Sequence, residues 1–225
     1  MKFSTLLVDL DRTILDFDKA EESALVATFE KFDIPFSQDV LALYRRNNER
    51  HWALYEQGKI VMDQIDVGRF VDTLQQLGLS RDVYAVSDFY QHQLDFGYQL
   101  CPNAMQALQA LYGKCKLYAV TNGAIRTQKQ RLRGTGLDKL FSDVFISDEV
   151  GYSKPQKQFF EYALAHIEEK DKSKILVVGD SLKIDIMGAK QVNLPTCWYN
   201  PSKNKLSHSA DYEIANLMEL IDIVK

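Results

Sequence analysis

Two textures of apolar and polar residues divide the chain. The first is a set of short, nearly continuous apolar runs rich in β-branched residues: FSTLLVDL, KLYAVTNG, DVFIS, KILVVGDS and PTCWYN. A strand covered on both faces by helices has no polar side to show, so such runs predict strands of a parallel sheet. From residue 101 onward they alternate with stretches of helical texture: NAMQALQALYG, AIRTQKQRLRGTG, KQFFEYALAHIEE and DIMGAKQVN. Strand followed by helix, repeated, predicts right-handed βαβ units and an open, Rossmann-like α/β sheet.

The second texture fills residues 17–98, where helix follows helix with no convincing strand. DKAEESALVATFEKF has Asp18 as its expected N-cap, and QDVLALYRRNNERHWALYEQG closes at Gly58 as an expected C-cap. DQIDVGRFVDTLQQLG and RDVYAVSDFYQHQLDFG are two further amphipathic stretches. An all-helical block set between the first strand and the remaining α/β units predicts an inserted domain at 17–98. The α/β core is then discontinuous, formed by 1–16 and 99–225.

Composition narrows the function classes. The 225 residues are 46% hydrophobic and 26% charged, ample for a core. A formal net charge of -4 gives no reason to expect a nucleic-acid polymer or an anionic membrane as partner. No apolar run approaches the ~20 residues of a membrane helix, and the N-terminus lacks a secretory pattern. Cys101, Cys115 and Cys197 are scattered, with no C-x-x-C pair. Small buried residues in a reducing cytoplasm are expected, rather than a disulfide framework or a structural zinc site. Oligomeric state is not encoded in any of these features.

The strand ends carry the candidate chemistry. In an open α/β sheet, ligands gather beyond the carboxyl ends of the strands. The first apolar run stops at Asp9, with Asp11 and Thr13 following at spacings of two. LYAV ends at Thr121-Asn122-Gly123, and ILVV ends at Gly179-Asp180-Ser181 with Asp185 shortly after; Lys154 lies in GYSKP before a helix. Carboxylates gathered along one sheet edge repel one another unless a cation sits among them. Hard oxygen ligands beside a phosphate-sized site suit Mg²⁺, while Lys154, Thr121 and loop N–H groups suit an anion. A carboxylate at a strand end can attack phosphorus, and a second carboxyl group two residues on can shuttle the proton. Thr13 reaches the same place only if a turn brings it round.

These residues resemble the haloacid dehalogenase-like superfamily, whose pattern is D-x-D-x-T, a lone Thr or Ser after the second strand, a Lys, and an acidic G-D-x-x-x-x-D. They stand here, in order, as Asp9-Leu10-Asp11-Arg12-Thr13, Thr121, Lys154, and Asp180 with Asp185. The resemblance implies Asp9 as nucleophile and Asp11 as general acid/base. It implies Asp9, the backbone carbonyl of Asp11, and Asp180 as Mg²⁺ ligands, with Asp185 orienting metal-bound waters. Thr121 and Lys154 would bind the transferred phosphoryl group, with Asn122 as a further donor. The helical block resembles the family's inserted cap domain. Dehalogenases of the superfamily lack an acid/base residue in place of Asp11, which favours phosphoryl transfer. The stretches LDRTILDF, TNG, QRLRGTGL and EVGYSKP resemble the nucleoside 5'-monophosphatase branch; Lys157, in place of a second proline, and Arg12 depart from its pattern.

The expectation is a Mg²⁺-dependent phosphomonoesterase acting through an aspartyl-phosphate on a small-molecule substrate, a nucleoside 5'-monophosphate. A sugar-phosphate phosphatase, a phosphomutase, and a catalytically silent binding protein on the same fold are the alternatives. The intact Asp9, Asp11, Thr121, Lys154, Asp180 set opposes the last, because binding alone needs no nucleophile beside an acid/base. Within the helical block, His51, Trp52 and Tyr55 on one predicted helix are candidates for contacting a base, with packing between helices as the competing account.

Overall fold

The computed structural model describes residues 1–225. Six strands form one sheet in the order β3-β2-β1-β4-β5-β6. They are β1 (Thr5–Asp9), β2 (Lys116–Thr121), β3 (Asp143–Ile146), β4 (Ile175–Gly179), β5 (Thr196–Tyr199) and β6 (Tyr212–Ile214), and every pairing is parallel. The first five coincide with the apolar runs. The sixth went unpredicted: it has three residues, is only partly buried and pairs with β5 alone, so it carries no apolar run to signal it.

Continuous apolarity in β1 reflects burial on both faces. Leu6 and Val8 pack with one layer, which includes Leu108, Leu132 and Leu220. Leu7 packs with the other, against Phe159, Phe160 and Ala163. The period-two alternation of side chains divides one strand between two cores. Helices α5 (Ala104–Leu111), α6 (Ile125–Thr135), α7 (Ser147–Val150), α8 (Lys157–His166), α9 (Met187–Lys190) and α10 (Leu220–Val224) complete the two layers.

Between β1 and β2 run α1 (Phe17–Lys31), α2 (Gln38–Glu56), α3 (Met62–Gln76) and α4 (Val83–Leu94). They enclose their own cluster of thirteen buried hydrophobic residues, among them Leu25, Phe29, Tyr44 and Phe70. The N-cap of α1 is Asp16, not the expected Asp18: its carboxylate accepts the Lys19 N–H at 3.2 Å. Asp18 sits in the first turn instead, where a negative charge still opposes the positive end of the helix. Gly58 follows α2 with φ +69°, the left-handed conformation that ends a helix cheaply only at glycine. No helix is long and apolar enough to cross a membrane.

In the strand order, chain connections run one way from β1 to β2 and β3 and the other way to β4, β5 and β6. The carboxyl ends of β1 and β4 therefore flank the switch point where open α/β sheets bind ligands. Asp9 closes β1 and Asp180 follows β4.

Candidate active site

Asp9, Asp180 and Asp185 converge at that switch point, each offering a carboxylate oxygen within 4.8 Å of the others. The Lys154 ammonium lies among them. It donates to Asp9 Oδ1 at 2.6 Å, to Asp185 Oδ1 at 2.7 Å and to the Val120 carbonyl at 3.0 Å. Asp9, Lys154 and Asp185 are all buried. Three carboxyl groups share one ammonium in a desolvated place. Burial first, then Asp185 and Asp180, push the Asp9 carboxyl well above its ordinary range, against the pull of Lys154. Burial and Asp185 push Asp180 up to about 7. Burial alone would lower Lys154, but Asp185 and Asp9 outweigh it and hold the ammonium protonated. Clustered hard oxygens sharing a single ammonium fit a divalent cation.

The local sequence explains how these groups meet. Arg12 takes φ +63°, turning the chain sharply after Asp11. The amides of Thr13, Ile14 and Leu15 then all donate to the Leu10 carbonyl. This turn brings Thr13 back, so that its hydroxyl donates to Asp9 Oδ2 at 2.9 Å and accepts the Asp180 N–H at 3.1 Å. One hydroxyl thereby ties the β1 end to the β4 end. Gly179 is needed at the end of β4, because a Cβ there would run into the Asp185 carboxyl. Ser181 caps the following turn by accepting the Ile184 N–H, and Asp185 Oδ2 accepts the Ser181 N–H.

Thr121 lies 1% exposed at the end of β2, its hydroxyl accepting from the Gly123 N–H and from Gln128 Nε2. The Asn122 amide is engaged with the backbone of Lys154, donating to its carbonyl at 2.8 Å and accepting its N–H at 2.9 Å. Its side chain holds the lysine loop in place. Asp11 points to α6: Arg131 Nη1 donates to Oδ1 at 2.6 Å and Gln128 Nε2 to Oδ2 at 2.5 Å.

A family model described as haloacid dehalogenase-like hydrolase matches residues 3–193. The chain belongs to that family. YfnB of Bacillus subtilis (strain 168), a HAD-hydrolase, is 38% identical over 225 residues, which cover 99% of this chain and 96% of YfnB. A crystal structure of YfnB bound to magnesium, which reveals interdomain movement, has a TM-score of 0.94, covering 100% of this chain and 99% of that one. The pyrimidine 5'-nucleotidase PynA of Streptococcus pneumoniae (strain ATCC BAA-255 / R6) is 33% identical across 99% of this chain and 95% of its own. The pyrimidine 5'-nucleotidase YjjG of Escherichia coli (strain K12) is 32% identical across 89% and 87%.

In this haloacid dehalogenase-like hydrolase the three candidates on α2 part company. His51 turns into the helical block, its Nε2 at 2.6 Å from Asp72 of α3 and its ring against Gly68. Trp52 and Tyr55 meet edge to face at 5.8 Å and pack in a small cluster that includes Ala124, at the start of α6. The Tyr55 hydroxyl reaches Ser147 at 2.8 Å, across from the helical block to the end of β3. Glu56 extends the same contact, pairing with Lys183 at 2.7 Å.

The sequence reading missed Gln128, Arg131 and Trp198. Gln128 and Arg131 lie three residues apart on the helix that follows the Thr121 loop, a spacing that aims both side chains the same way. That spacing was the available signal. Trp198 belongs to an apolar strand and gave no polar signal, yet its indole N–H donates to the backbone carbonyl of Asp180.

Proposed function

We propose that this hydrolase is a Mg²⁺-dependent phosphomonoesterase acting on nucleoside 5'-monophosphates through an aspartyl-phosphate on Asp9. The single observation that carries the reading is the Lys154 ammonium held between Asp9 and Asp185, with Asp180 completing a cluster of three carboxyl groups around that one ammonium. Asp9 and Asp180, with the Asp11 carbonyl, would hold the metal, and Asp185 would orient its waters. A bound Mg²⁺ would neutralise the charge that keeps a carboxylate and a phosphate apart.

Asp9 then attacks phosphorus while Lys154 and the Thr121 hydroxyl hold the phosphoryl oxygens. Asp11 protonates the departing 5'-oxygen, and afterwards takes the proton of the water that hydrolyses the acyl phosphate. Residues 17–98 act as the cap over the strand ends. The relative YfnB supports a moving cap, since its structure reveals interdomain movement, and closure of such a cap excludes water from the reaction.

The nucleotide preference is supported by the names of PynA and YjjG and by the placement of Trp52 and Tyr55 beside Ala124 and Ser147. Of the two, Trp52 is the partly exposed ring that would meet a base, while Tyr55 is buried; His51, paired with Asp72, supports the helix instead. The test is phosphate release by purified protein with Mg²⁺ across pyrimidine and purine nucleotides, hexose phosphates and triose phosphates. A preference for hexose or triose phosphates over every nucleotide would overturn the nucleotidase reading and leave the phosphatase standing.

A further inference from the structure

Arg131 is 1% exposed, and its side chain touches three separate segments. Nη1 donates to Asp11 Oδ1 at 2.6 Å, in the loop that leaves β1. Nε donates to the Gly97 carbonyl at 2.9 Å, on the segment that returns from the helical block. The guanidinium carbon lies 5.9 Å from the centroid of Phe17, the first residue of α1 on the outgoing segment. From this we infer that Arg131 is a positioning residue, which fixes the Asp11 carboxylate and ties its placement to both chain segments joining the cap to the sheet. The inference rests on the phosphatase reading above.

The surroundings make the link rigid. Gln128 Nε2 donates to Asp11 Oδ2 at 2.5 Å and to Thr121 Oγ at 2.8 Å. Each oxygen of Asp11 therefore has its own donor, and neither is free to rotate independently. The same helix grips the returning segment again: Thr127 donates to Asp95 at 2.9 Å, and Arg126 pairs with the same carboxylate at 2.6 Å. At Gly97 the returning segment passes α1 so closely that a Cβ would strike Ala20. Any rotation of the cap about these linkers must pull on the Gly97 carbonyl and on Phe17, and hence on the guanidinium that holds Asp11.

A purely structural pair would be poorly built. Arg131 Nη2 is buried without a partner, and a buried ion pair with unfilled donors is a weak source of stability, which well-packed apolar groups can replace. The planar guanidinium serves orientation instead, since Nη1 holds Asp11 Oδ1 while Nε holds the Gly97 carbonyl.

The test uses leaving-group dependence. A nucleoside leaves as an alkoxide and needs a placed acid; p-nitrophenolate leaves without one. Loosening Asp11 should therefore lower kcat/KM for dUMP far more than for p-nitrophenyl phosphate. With Mg²⁺, Arg131→Met should cost about 10- to 100-fold on dUMP, a part of the ~10²–10⁴-fold that a positioned acid supplies in full, and less than about threefold on p-nitrophenyl phosphate. Arg131→Lys, which keeps the charge but not the fork, should fall between Met and wild type. Gln128→Met, which keeps the Arg131 bonds to Asp11 and Gly97 and gives up only the 3.5 Å contact from Arg131 Nη1 to Gln128 Oε1, should show the same selectivity at smaller size and carries the test if Arg131→Met fails to fold. Equal losses on both substrates, or losses that follow the melting temperature, would overturn the inference while the phosphatase reading stands. A wild-type protein inactive on both substrates would overturn the phosphatase reading itself.

Discussion

The Trp198 indole N–H donates to the backbone carbonyl of Asp180 at 2.8 Å, fixing an acidic residue of the switch point from the neighbouring strand. Groups of this kind set the orientation of a metal ligand without touching the metal, and removing them commonly costs about 10- to 100-fold in metal affinity or activity. Trp198→Phe keeps the packing and loses the bond. Titrating activity with Mg²⁺ should show the half-saturating concentration rising by about tenfold, with the rate at saturation little changed. An unchanged requirement would mean that Asp180 needs no such support.

Lys154 offers a second test. It neutralises Asp9 and Asp185 in a buried place, so Lys154→Met removes one partner and strands two carboxylates. Breaking a buried pair in this way costs about 3–5 kcal/mol. In EDTA, denaturant unfolding of Lys154→Met should show a loss of that order. With Mg²⁺ part of the loss should return while phosphatase activity stays absent. Wild-type turnover in this variant would remove Lys154 from the mechanism.

The pH dependence of the metal-free protein follows from Asp180. Burial and then Asp185 raise its carboxyl from the ordinary 3.8 to about 7, so the folded state holds a proton that the unfolded chain gives up. A raised acid contributes stability that is present below 3.8 and is lost as pH rises through about 7. In EDTA the melting temperature should fall from pH 5 to pH 8. Mg²⁺ held by these carboxylates would require their deprotonated form, so its stabilising shift should be larger at pH 8 than at pH 5. Melting curves at both pH values, with and without Mg²⁺, check the sign; an equal Mg²⁺ shift at both would contradict it.

Trp52 and Tyr55 are tested through substrate choice. Base stacking on an aromatic side chain is worth about 1–3 kcal/mol, so Trp52→Ala should lower kcat/KM for dUMP by roughly 5- to 150-fold at 1.36 kcal/mol per decade. Activity on p-nitrophenyl phosphate should change far less. Tyr55→Phe removes only the hydroxyl that meets Ser147 and should act mainly through cap docking, raising KM for both substrates. Equal losses for Trp52→Ala on both substrates, with a lowered melting temperature, would favour plain packing.

The sheet was legible because burial on both faces writes itself into sequence as continuous apolarity. Leu6, Leu7 and Val8 are all fully buried, and no helix could be confused with so short a run. The strand-end residues were legible for a related reason: a carboxylate closing a buried strand has no packing purpose, so Asp9 and Asp180 stood out. What remained hidden depends on distance in three dimensions. The pairing of Arg131 with Asp11 spans 120 residues, and a basic residue in a helix reads as solvated until the structure shows it buried. Likewise His51 and Tyr55 share a helical spacing, yet one faces α3 and the other the sheet, because α2 lies wedged between both. The α1 cap moved from Asp18 to Asp16 because both are competent acceptors, and only the path of the linker chooses between them.

The central claim is covalent chemistry at Asp9, and rapid quenching of a ³²P-labelled nucleoside 5'-monophosphate with Mg²⁺ tests it most directly. Wild-type protein should carry transient label that maps to Asp9. Asp11→Asn, which keeps the nucleophile but loses the base for the second step, should accumulate that label, and Asp9→Asn should carry none and release no phosphate. Label mapping to another residue, or wild-type turnover by Asp9→Asn, would contradict the account.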